Sequence, residues 1–125
     1  MNLFQSIDFK SHAGLDLTWK IEMDALSDPD WFTLSQMIKE NIPPFQAAIG
    51  IPRGGVKLGS LLNQYSTENH EDPYLLVDDV LTTGTSMIEY KKEFFSKKTV
   101  PILGVVVFAR NSPPDWVTAL FQMPI

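Results

Sequence analysis

Two adjacent carboxylates and a hydroxyl-rich loop form the part of the sequence best equipped for chemistry. Asp78 and Asp79 follow the apolar run 74–77, and the segment LTTGTS (81–86) then precedes a helical pattern. A helix N-terminus presents unpaired N–H groups and the positive end of the helix dipole, which suit a phosphate. Gly84 lets the backbone approach an anion closely. The hydroxyl groups that add hydrogen-bond donors belong to Thr82, Thr83, Thr85 and Ser86.

The two acids cannot bind that same phosphate, because like charges repel. They suit vicinal hydroxyls instead, or a divalent cation held through water. Consecutive side chains of a strand point to opposite faces, so Asp78 and Asp79 serve one ligand only if the strand ends and curls there. The ordered combination predicts a sugar-phosphate site. The alternative is a solvated acidic turn followed by an ordinary capped helix.

A second glycine-bearing turn, GIPRGG (50–55), also lies between an apolar run and a helical pattern. Gly54 and Gly55 free the backbone to curl its amides around an anion, and Arg53 adds a bidentate positive charge. Lys57 is either a further anion contact or a solvated helix lysine. The alternative for the whole turn is a plain connection with an exposed arginine.

The elements around these turns follow from hydrophobic patterning. Apolar runs without alternation, separated by helices, are typical of a parallel sheet covered on both faces. The predicted strands are 47–51, 74–77, 102–109 and 118–122, and the predicted helices begin at Ser27-Asp28-Pro29, near Val56 and near Met87. We therefore predict an α/β fold, a doubly wound and mainly parallel sheet, in which both glycine turns lie at the carboxyl ends of strands, where ligands bind.

A loose alternation of apolar residues (15–23) predicts a half-buried hairpin strand near the N-terminus. The chain is thus expected to form one domain over 1–125, with a small β appendage (1–26) on an α/β core (27–125). A tail, Pro113-Pro114-Asp115-Trp116-Val117, precedes the last predicted strand.

Composition excludes several classes of function. The 125 residues include no cysteine, so disulfides, thiolate metal sites and cysteine nucleophiles are excluded, and a reducing cytoplasm fits. Ten Lys and Arg against fifteen Asp and Glu give a net charge of −5, which argues against nucleic-acid binding. The longest apolar run, ILGVVVFA, is too short to cross a membrane, and the start MNLFQSIDFK is unlike a signal peptide.

The segment 75–86 resembles the diagnostic motif of the type I phosphoribosyltransferase family: an apolar strand, two acids, an apolar residue and a Thr/Gly/Ser loop. The resemblance implies that Asp78 and Asp79 hold the ribose hydroxyls of phosphoribosyl pyrophosphate (PRPP) and that 82–86 bind its 5-phosphate. It implies that Pro52-Arg53-Gly54-Gly55 receive pyrophosphate, with an unusual cis peptide at Pro52–Arg53. Bound Mg²⁺ assists displacement of pyrophosphate by a nitrogen nucleophile, and the family is commonly dimeric, which implies a homodimer.

The N-terminal residues resemble, more loosely, the hood of orotate phosphoribosyltransferases, which covers the base. The resemblance makes His12, Trp19 and Lys20 candidates for base binding, although each also has an ordinary structural explanation. Arg110, at the end of the strand 102–109, is a further candidate. Trp116 resembles aromatic residues that flank the base in purine-type members, and a hydrophobic tail packed on the sheet explains it equally well.

One expected part is missing. Only 22 residues separate Gly55 from Asp78, and the polar stretch 64–72 contains no Lys or Arg. Orotate enzymes of the family typically carry there an additional strand and a long basic loop that closes over PRPP and excludes water. The first hypothesis is a PRPP-dependent transferase acting on orotate or a related pyrimidine. The alternatives are a non-catalytic PRPP- or nucleotide-sensing module and a structural subunit that binds no ligand.

Overall fold

The structure is a computed structural model that describes residues 3–5, 9–10, 16–17, 20–95 and 100–123. The strands are β1 (Phe4–Gln5), β2 (Phe9–Lys10), β3 (Asp16–Leu17), β4 (Lys20–Ile21), β5 (Ala47–Gly50), β6 (Tyr74–Leu81), β7 (Ile102–Ala109) and β8 (Val117–Gln122). The helices are α1 (Asp28–Asn41), α2 (Val56–Leu62) and α3 (Thr85–Phe95), and 3-10 turns lie at Met23–Ala25 and Asn63–Tyr65.

A four-stranded parallel sheet forms the centre of the described chain. Its strand order is β5-β6-β7-β8, and every neighbouring pair is parallel. All four carboxyl ends therefore lie at one edge of the sheet, which we call the carboxyl edge; the opposite edge is the amino edge. The predicted parallel α/β architecture is confirmed. β6 is longer than predicted, because it continues through Asp78 and Asp79 to Leu81.

Two apolar clusters cover the two faces of the sheet. Trp31 and Ile38 of α1 and Leu58 and Leu62 of α2 pack with β-strand residues on one face. Met87 of α3 packs with Leu76, Val106 and other residues on the opposite face. β6 and β7 are apolar on both sides for this reason, which explains why their sequences run continuously apolar.

The start of α1 has the local chemistry that the sequence predicts. The Ser27 hydroxyl accepts the Asp30 N–H, and the Asp30 carboxylate accepts the Ser27 N–H at 2.9 Å, which completes a capping box. These contacts lower the pKa of Asp30 below its usual value. The helix ends at Asn41, ahead of Pro43, because proline disfavours helical backbone in the residue before it.

The N-terminal segment forms two short antiparallel ribbons rather than one hairpin strand. β1 pairs with β4, and β2 pairs with β3. Leu3 and Ile21 pack against the α1 and α2 side of the core, and the Phe4 ring meets the Phe108 ring edge-on at 5.8 Å between centroids. The described part of the appendage is thus joined to the sheet near the end of β7.

The outer edge of β5 is satisfied by a side chain. Asn63, just after α2, donates from Nδ2 to the Ala48 carbonyl at 2.7 Å, and its Oδ1 accepts the Ala48 N–H at 2.8 Å. One side-chain amide therefore reproduces the pair of bonds that a neighbouring strand would make. None of the helices described in residues 20–95 and 100–123 is both long and apolar enough to span a membrane.

Replacing Asn63 by alanine is expected to lower the free energy of unfolding by about 1–3 kcal/mol, because both backbone polar groups of the buried Ala48 lose their partner. Urea denaturation measures the difference. The matched control is Gln64→Ala, which removes only an exposed bond from the neighbouring side chain to the Leu61 carbonyl. Equal stability of the two variants would contradict the role of Asn63.

Candidate functional site

The two motifs singled out in the sequence touch each other at the carboxyl edge. A Cβ atom built on Gly54 would lie 2.4–2.6 Å from the carboxylate atoms of Asp79. A side chain has no room there, so glycine at this position allows the turn to lie directly against the acid pair. The Ile51 N–H donates to the Val77 carbonyl at 2.8 Å and continues the β5–β6 ladder into the turn.

The turn itself is compact. The Gly55 N–H donates to the Ile51 carbonyl at 2.9 Å, and the Val56 N–H donates to the Arg53 carbonyl at 3.2 Å. The Pro52–Arg53 peptide bond is cis, as the resemblance implied. Arg53 is exposed, and its guanidinium is available to an anion that approaches the carboxyl edge.

The ladder between β6 and β7 is interrupted at Asp79. Asp78 pairs with Val106 and Val80 with Phe108, whereas Asp79 has no registered partner. Its own N–H donates to Asp78 Oδ1 at 2.8 Å, and the Val80 N–H donates to Asp79 Oδ1 at 2.7 Å. Each carboxylate thus accepts the backbone N–H of the residue that follows it.

Side chains of β6 alternate between the two faces of the sheet, and this alternation shifts by one residue at the interruption. Val77 and Val80 both pack in the cluster beside α1 and α2, although strict alternation would separate them. Val107 and Phe108 show the same shift on β7. The sequence interpretation that the strand must end to gather two acids is therefore wrong in detail: the strand continues, and an irregularity within it supplies the change of direction.

The carboxyl group of Asp78 holds a proton more tightly than an ordinary aspartate. Burial, followed by the neighbouring Asp79 charge, raises the pKa of Asp78 to about 8. The Asp78 carboxyl group therefore favours its protonated form at neutral pH. A cation, or a ligand that develops positive charge, would be stabilised there once that proton leaves.

The loop from Thr82 to Ser86 leads into α3. Gly84 has φ of 84°, a left-handed conformation that favours glycine. The Thr85 N–H contacts Thr83 Oγ1 at 3.4 Å, and the Thr83 and Thr85 hydroxyls lie 2.9 Å apart. Both hydroxyls and that of Ser86 are exposed at the start of an eleven-residue helix, an arrangement that suits a phosphate.

Arg110 is the second arginine at this edge. Arg110 follows β7 directly, and its backbone N–H donates to the Leu81 carbonyl at 2.8 Å. The side chain is partly buried, and burial lowers the pKa of its guanidinium from the usual value. Lys57, considered as an anion contact, forms an ion pair with Asp28 at the start of α1.

Trp116 lies beside β7. It precedes β8, whose first residue pairs with Gly104, and its ring lies beside that glycine. Gly104 pairs with Leu76, two residues before Asp78 on the neighbouring strand. Lys91 of α3 covers the Trp116 ring at 4.4 Å. Trp116 stays a candidate for the base site.

The remaining base-site candidates are less defined. His12 and Trp19 fall outside the described residues. Lys20 lies in β4, opposite Gln5, and its side chain is not described.

The stretch between α2 and β6 lies on the far side of the sheet. The Thr67 N–H donates to the Phe45 carbonyl at 2.8 Å, and Gln46 Nε2 donates to the Asp72 carbonyl at 2.7 Å. Phe45 and Gln46 lie just before β5, and Asp72 lies just before β6, so these bonds hold the stretch at the amino edge. It therefore does not lie where a loop closing over the carboxyl edge would be.

Sequence reasoning missed Asn111. Its side-chain Nδ2 donates to the Thr82 carbonyl, and Gln122 Nε2 donates to the Asn111 carbonyl at 3.3 Å. An asparagine after a strand is ordinary in a turn, so the sequence carries no signal for this contact.

A metal would find only part of its ligand set in the chain. Within the described residues, no group of three or more His, Asp or Glu side chains is gathered for a metal ion. The carboxylates of Asp78 and Asp79 are hard oxygen donors of the type that Mg²⁺ accepts together with water and substrate oxygens. The donor set fits a cation held largely by its substrate.

The proton on Asp78 makes the free energy of unfolding depend on pH. Between the ordinary aspartate pKa near 3.8 and about 8, the folded protein binds more protons at this site than the unfolded chain. The contribution of Asp78 to the free energy of unfolding therefore falls as pH rises from 5.5 to 8, by at most about 1.4 kcal/mol per pH unit. Asp78→Asn should remove this decline, which urea denaturation at several pH values measures.

Asp79→Asn tests the cause. Removing the neighbouring charge should reduce the decline without abolishing it, since burial remains the larger effect. A wild-type decline that persists unchanged in Asp78→Asn would show that another group is responsible.

Comparison with known proteins gives matches at the level of fold. Neither a family model nor a curated protein matches the sequence. Among solved structures, orotate phosphoribosyltransferase from Aeropyrum pernix is 17% identical with a TM-score of 0.76, over 97% of this chain and 88% of that one. UMP synthase from Leishmania donovani is 13% identical with a TM-score of 0.78, over 97% of this chain.

The chain spans only 34% of that UMP synthase. Helicobacter pylori xanthine-guanine-hypoxanthine phosphoribosyltransferase is 16% identical with a TM-score of 0.53, over 74% of this chain and 85% of that one. The first two structures thus match nearly all of this chain, whereas the third matches three quarters. Together with the parallel sheet and its two loops at the carboxyl edge, these similarities show that the chain has the fold of the type I phosphoribosyltransferases.

Proposed function

We propose that this chain is a phosphoribosyltransferase that transfers ribose 5-phosphate from PRPP to a nucleobase. The observation that carries the proposal is the contact between Gly54 and the Asp79 carboxylate, because it joins an anion-binding turn to an acid pair at one edge. The fold shared with phosphoribosyltransferases supports it. A ligand with phosphates at both ends and hydroxyls between them matches this order of groups.

In the proposed complex, the loop 82–86 binds the 5-phosphate through helix N–H groups and hydroxyls. Asp78 and Asp79 accept hydrogen bonds from the ribose hydroxyls. Arg53 and the amides of Gly54 and Gly55 bind the pyrophosphate group. The ribose then lies between two anion sites, with its anomeric carbon toward the Arg53 turn.

The reaction breaks the bond between the anomeric carbon and pyrophosphate and forms a bond from that carbon to a ring nitrogen of the base. The electron pair of the broken bond leaves on pyrophosphate, and the proton of the attacking nitrogen passes to solvent. The ribose ring gains positive charge as the bond to pyrophosphate breaks and before the bond to the base is complete. The nearby carboxylates stabilise that charge. Arg53 stabilises the negative charge that develops on the leaving group.

The proposed acceptor is an anionic base such as orotate or a related pyrimidine. Arg110, directly after β7, is a candidate partner for its charge. A guanidinium at this position can pair with a carboxylate on the base. His12, Trp19 and Lys20 remain candidates for covering the base, and the homodimer remains a prediction.

Mg²⁺ is the proposed cofactor, held by Asp78 and Asp79 through water together with oxygens of PRPP. When bound it neutralises part of the charge of the pyrophosphate group. The chain has a net charge of −5, so a bound cation also offsets the repulsion of a polyanionic substrate.

A second candidate function is a sensing module that binds PRPP without transferring it. The position of residues 66–73 at the amino edge favours this candidate, because no basic loop between β5 and β6 can cover the substrate. A site that stays open to water loses electrostatic stabilisation of charge. Binding without turnover distinguishes the sensor from the enzyme.

Pyrophosphate release in the presence of PRPP, Mg²⁺ and a panel of bases tests the enzyme. We expect turnover with orotate or a related pyrimidine, and at least a 100-fold loss in Asp78→Asn with Asp79→Asn, because the developing positive charge loses both carboxylates. The matched control, Glu68→Gln with Glu71→Gln, also removes two negative charges, but from the stretch at the amino edge, and should keep full activity.

Isothermal calorimetry separates the other outcomes. Binding of PRPP with no turnover on any base supports the sensor, and the absence of both supports a structural subunit. Unaltered PRPP affinity in the double aspartate variant would remove the ribose assignment.

PRPP binding should require a divalent cation. Without Mg²⁺ the pyrophosphate group meets only the Arg53 turn beside an acid pair, and repulsion weakens the complex. Calorimetric titration with Mg²⁺ and with excess EDTA measures the difference. Tight binding in EDTA would contradict the proposed cofactor.

A further inference from the structure

The contact between β6 and β7 continues one step beyond the two strands. The last backbone bond of the ladder runs from the Arg110 N–H to the Leu81 carbonyl at 2.8 Å. The next carbonyl along the chain, that of Thr82, accepts its bond from the side chain of Asn111. A side-chain amide therefore replaces the backbone where the loop 82–86 leaves the sheet.

This bond fixes the direction of a backbone donor. In a planar trans peptide, the carbonyl of one residue and the N–H of the next point in opposite directions. Because the Thr82 carbonyl is directed to Asn111, the Thr83 N–H is directed away from Asn111. The orientation of this amide is thus set by a residue that lies outside the loop.

Asn111 is itself held in place. Gln122 of β8 donates from Nε2 to the Asn111 carbonyl at 3.3 Å and to the Ala109 carbonyl at 3.2 Å. The same connection between β7 and β8 also reaches the loop at a second point, since a Cβ built on Gly84 would lie 3.8 Å from the Pro114 ring. The segment 111–114 therefore packs alongside the loop 82–86, which we call the phosphate loop.

We propose that Asn111 is a positioning residue for the 5-phosphate site: it holds the Thr82 carbonyl so that the Thr83 N–H is aimed at the phosphate. The inference rests on the proposed function, since it assumes that the loop 82–86 binds a sugar phosphate. Asn111 itself does not touch the ligand.

The proposal predicts an effect confined to one end of the substrate. The pyrophosphate turn is held by other contacts, from the Ile51 N–H to Val77 and from the Gly55 N–H to Ile51. Neither involves the connection after β7. Loss of the Asn111 amide should therefore weaken binding of ribose 5-phosphate and leave binding of Mg²⁺-pyrophosphate unchanged.

Calorimetric titration of Asn111→Ala with each of the two ligands is the test. We expect the affinity for ribose 5-phosphate to fall about three- to tenfold, the cost of one hydrogen bond, with an unaltered affinity for Mg²⁺-pyrophosphate. Asn111→Asp keeps the shape but places an acceptor and a negative charge beside the Thr82 carbonyl, so its loss should be at least as large. Because Asn111 is exposed, water can solvate the freed carbonyl, and the melting temperature should change little.

Asn41→Ala is the matched control. It removes an exposed bond of the same kind, from Nδ2 to the Met37 carbonyl at 2.7 Å, at the end of α1. It should bind both ligands as the wild type does.

The outcomes separate the two hypotheses. If wild-type protein binds neither ligand, the proposed function fails, and this inference fails with it. If the wild type binds ribose 5-phosphate and Asn111→Ala binds it equally well, or loses both ligands in parallel, only the positioning role is overturned.

Discussion

The site depends on the contact between the Gly54 backbone and the Asp79 carboxylate. This contact requires a residue without a side chain at position 54 of the turn. Next to it, the Asp78 and Asp79 carboxylates accept the backbone N–H groups of Asp79 and Val80, and the pairing with β7 is interrupted at Asp79. The same two acids therefore bond to the backbone of their own strand at the point where its pairing is interrupted.

The parallel sheet, the helix starts and the two loops could be predicted from the sequence because each has a local cause. Continuous apolar runs reflect burial on both faces, Ser27 and Asp30 form a local cap, and glycine marks the turns at 50–55 and 84. The motif containing Asp78 and Asp79 was informative because its residue types follow one another in the order of a known family's motif. These features need only near neighbours in the chain to be recognised.

The remaining features depend on contacts distant in sequence. The phase change at Asp79 is shared with Val107, and Asn111 reaches a carbonyl 29 residues away. Nothing in a single sequence indicates which backbone atom a polar side chain will meet. Trp116 illustrates the same limit, because its ring lies beside Gly104, which is twelve residues earlier in the chain and on another strand.

The amide of Asn63 has a consequence beyond stability. β5 forms one margin of the sheet, and a bare margin of unpaired backbone groups is a template on which another chain can add a strand and begin to aggregate. At Ala48 the backbone groups are already bonded to the Asn63 side chain. The backbone N–H groups of Thr67 and Glu68 bond to the carbonyls of Phe45 and Gln46. The connection after α2 thus allows β5 to be an edge strand while reducing the backbone groups that another chain could pair with.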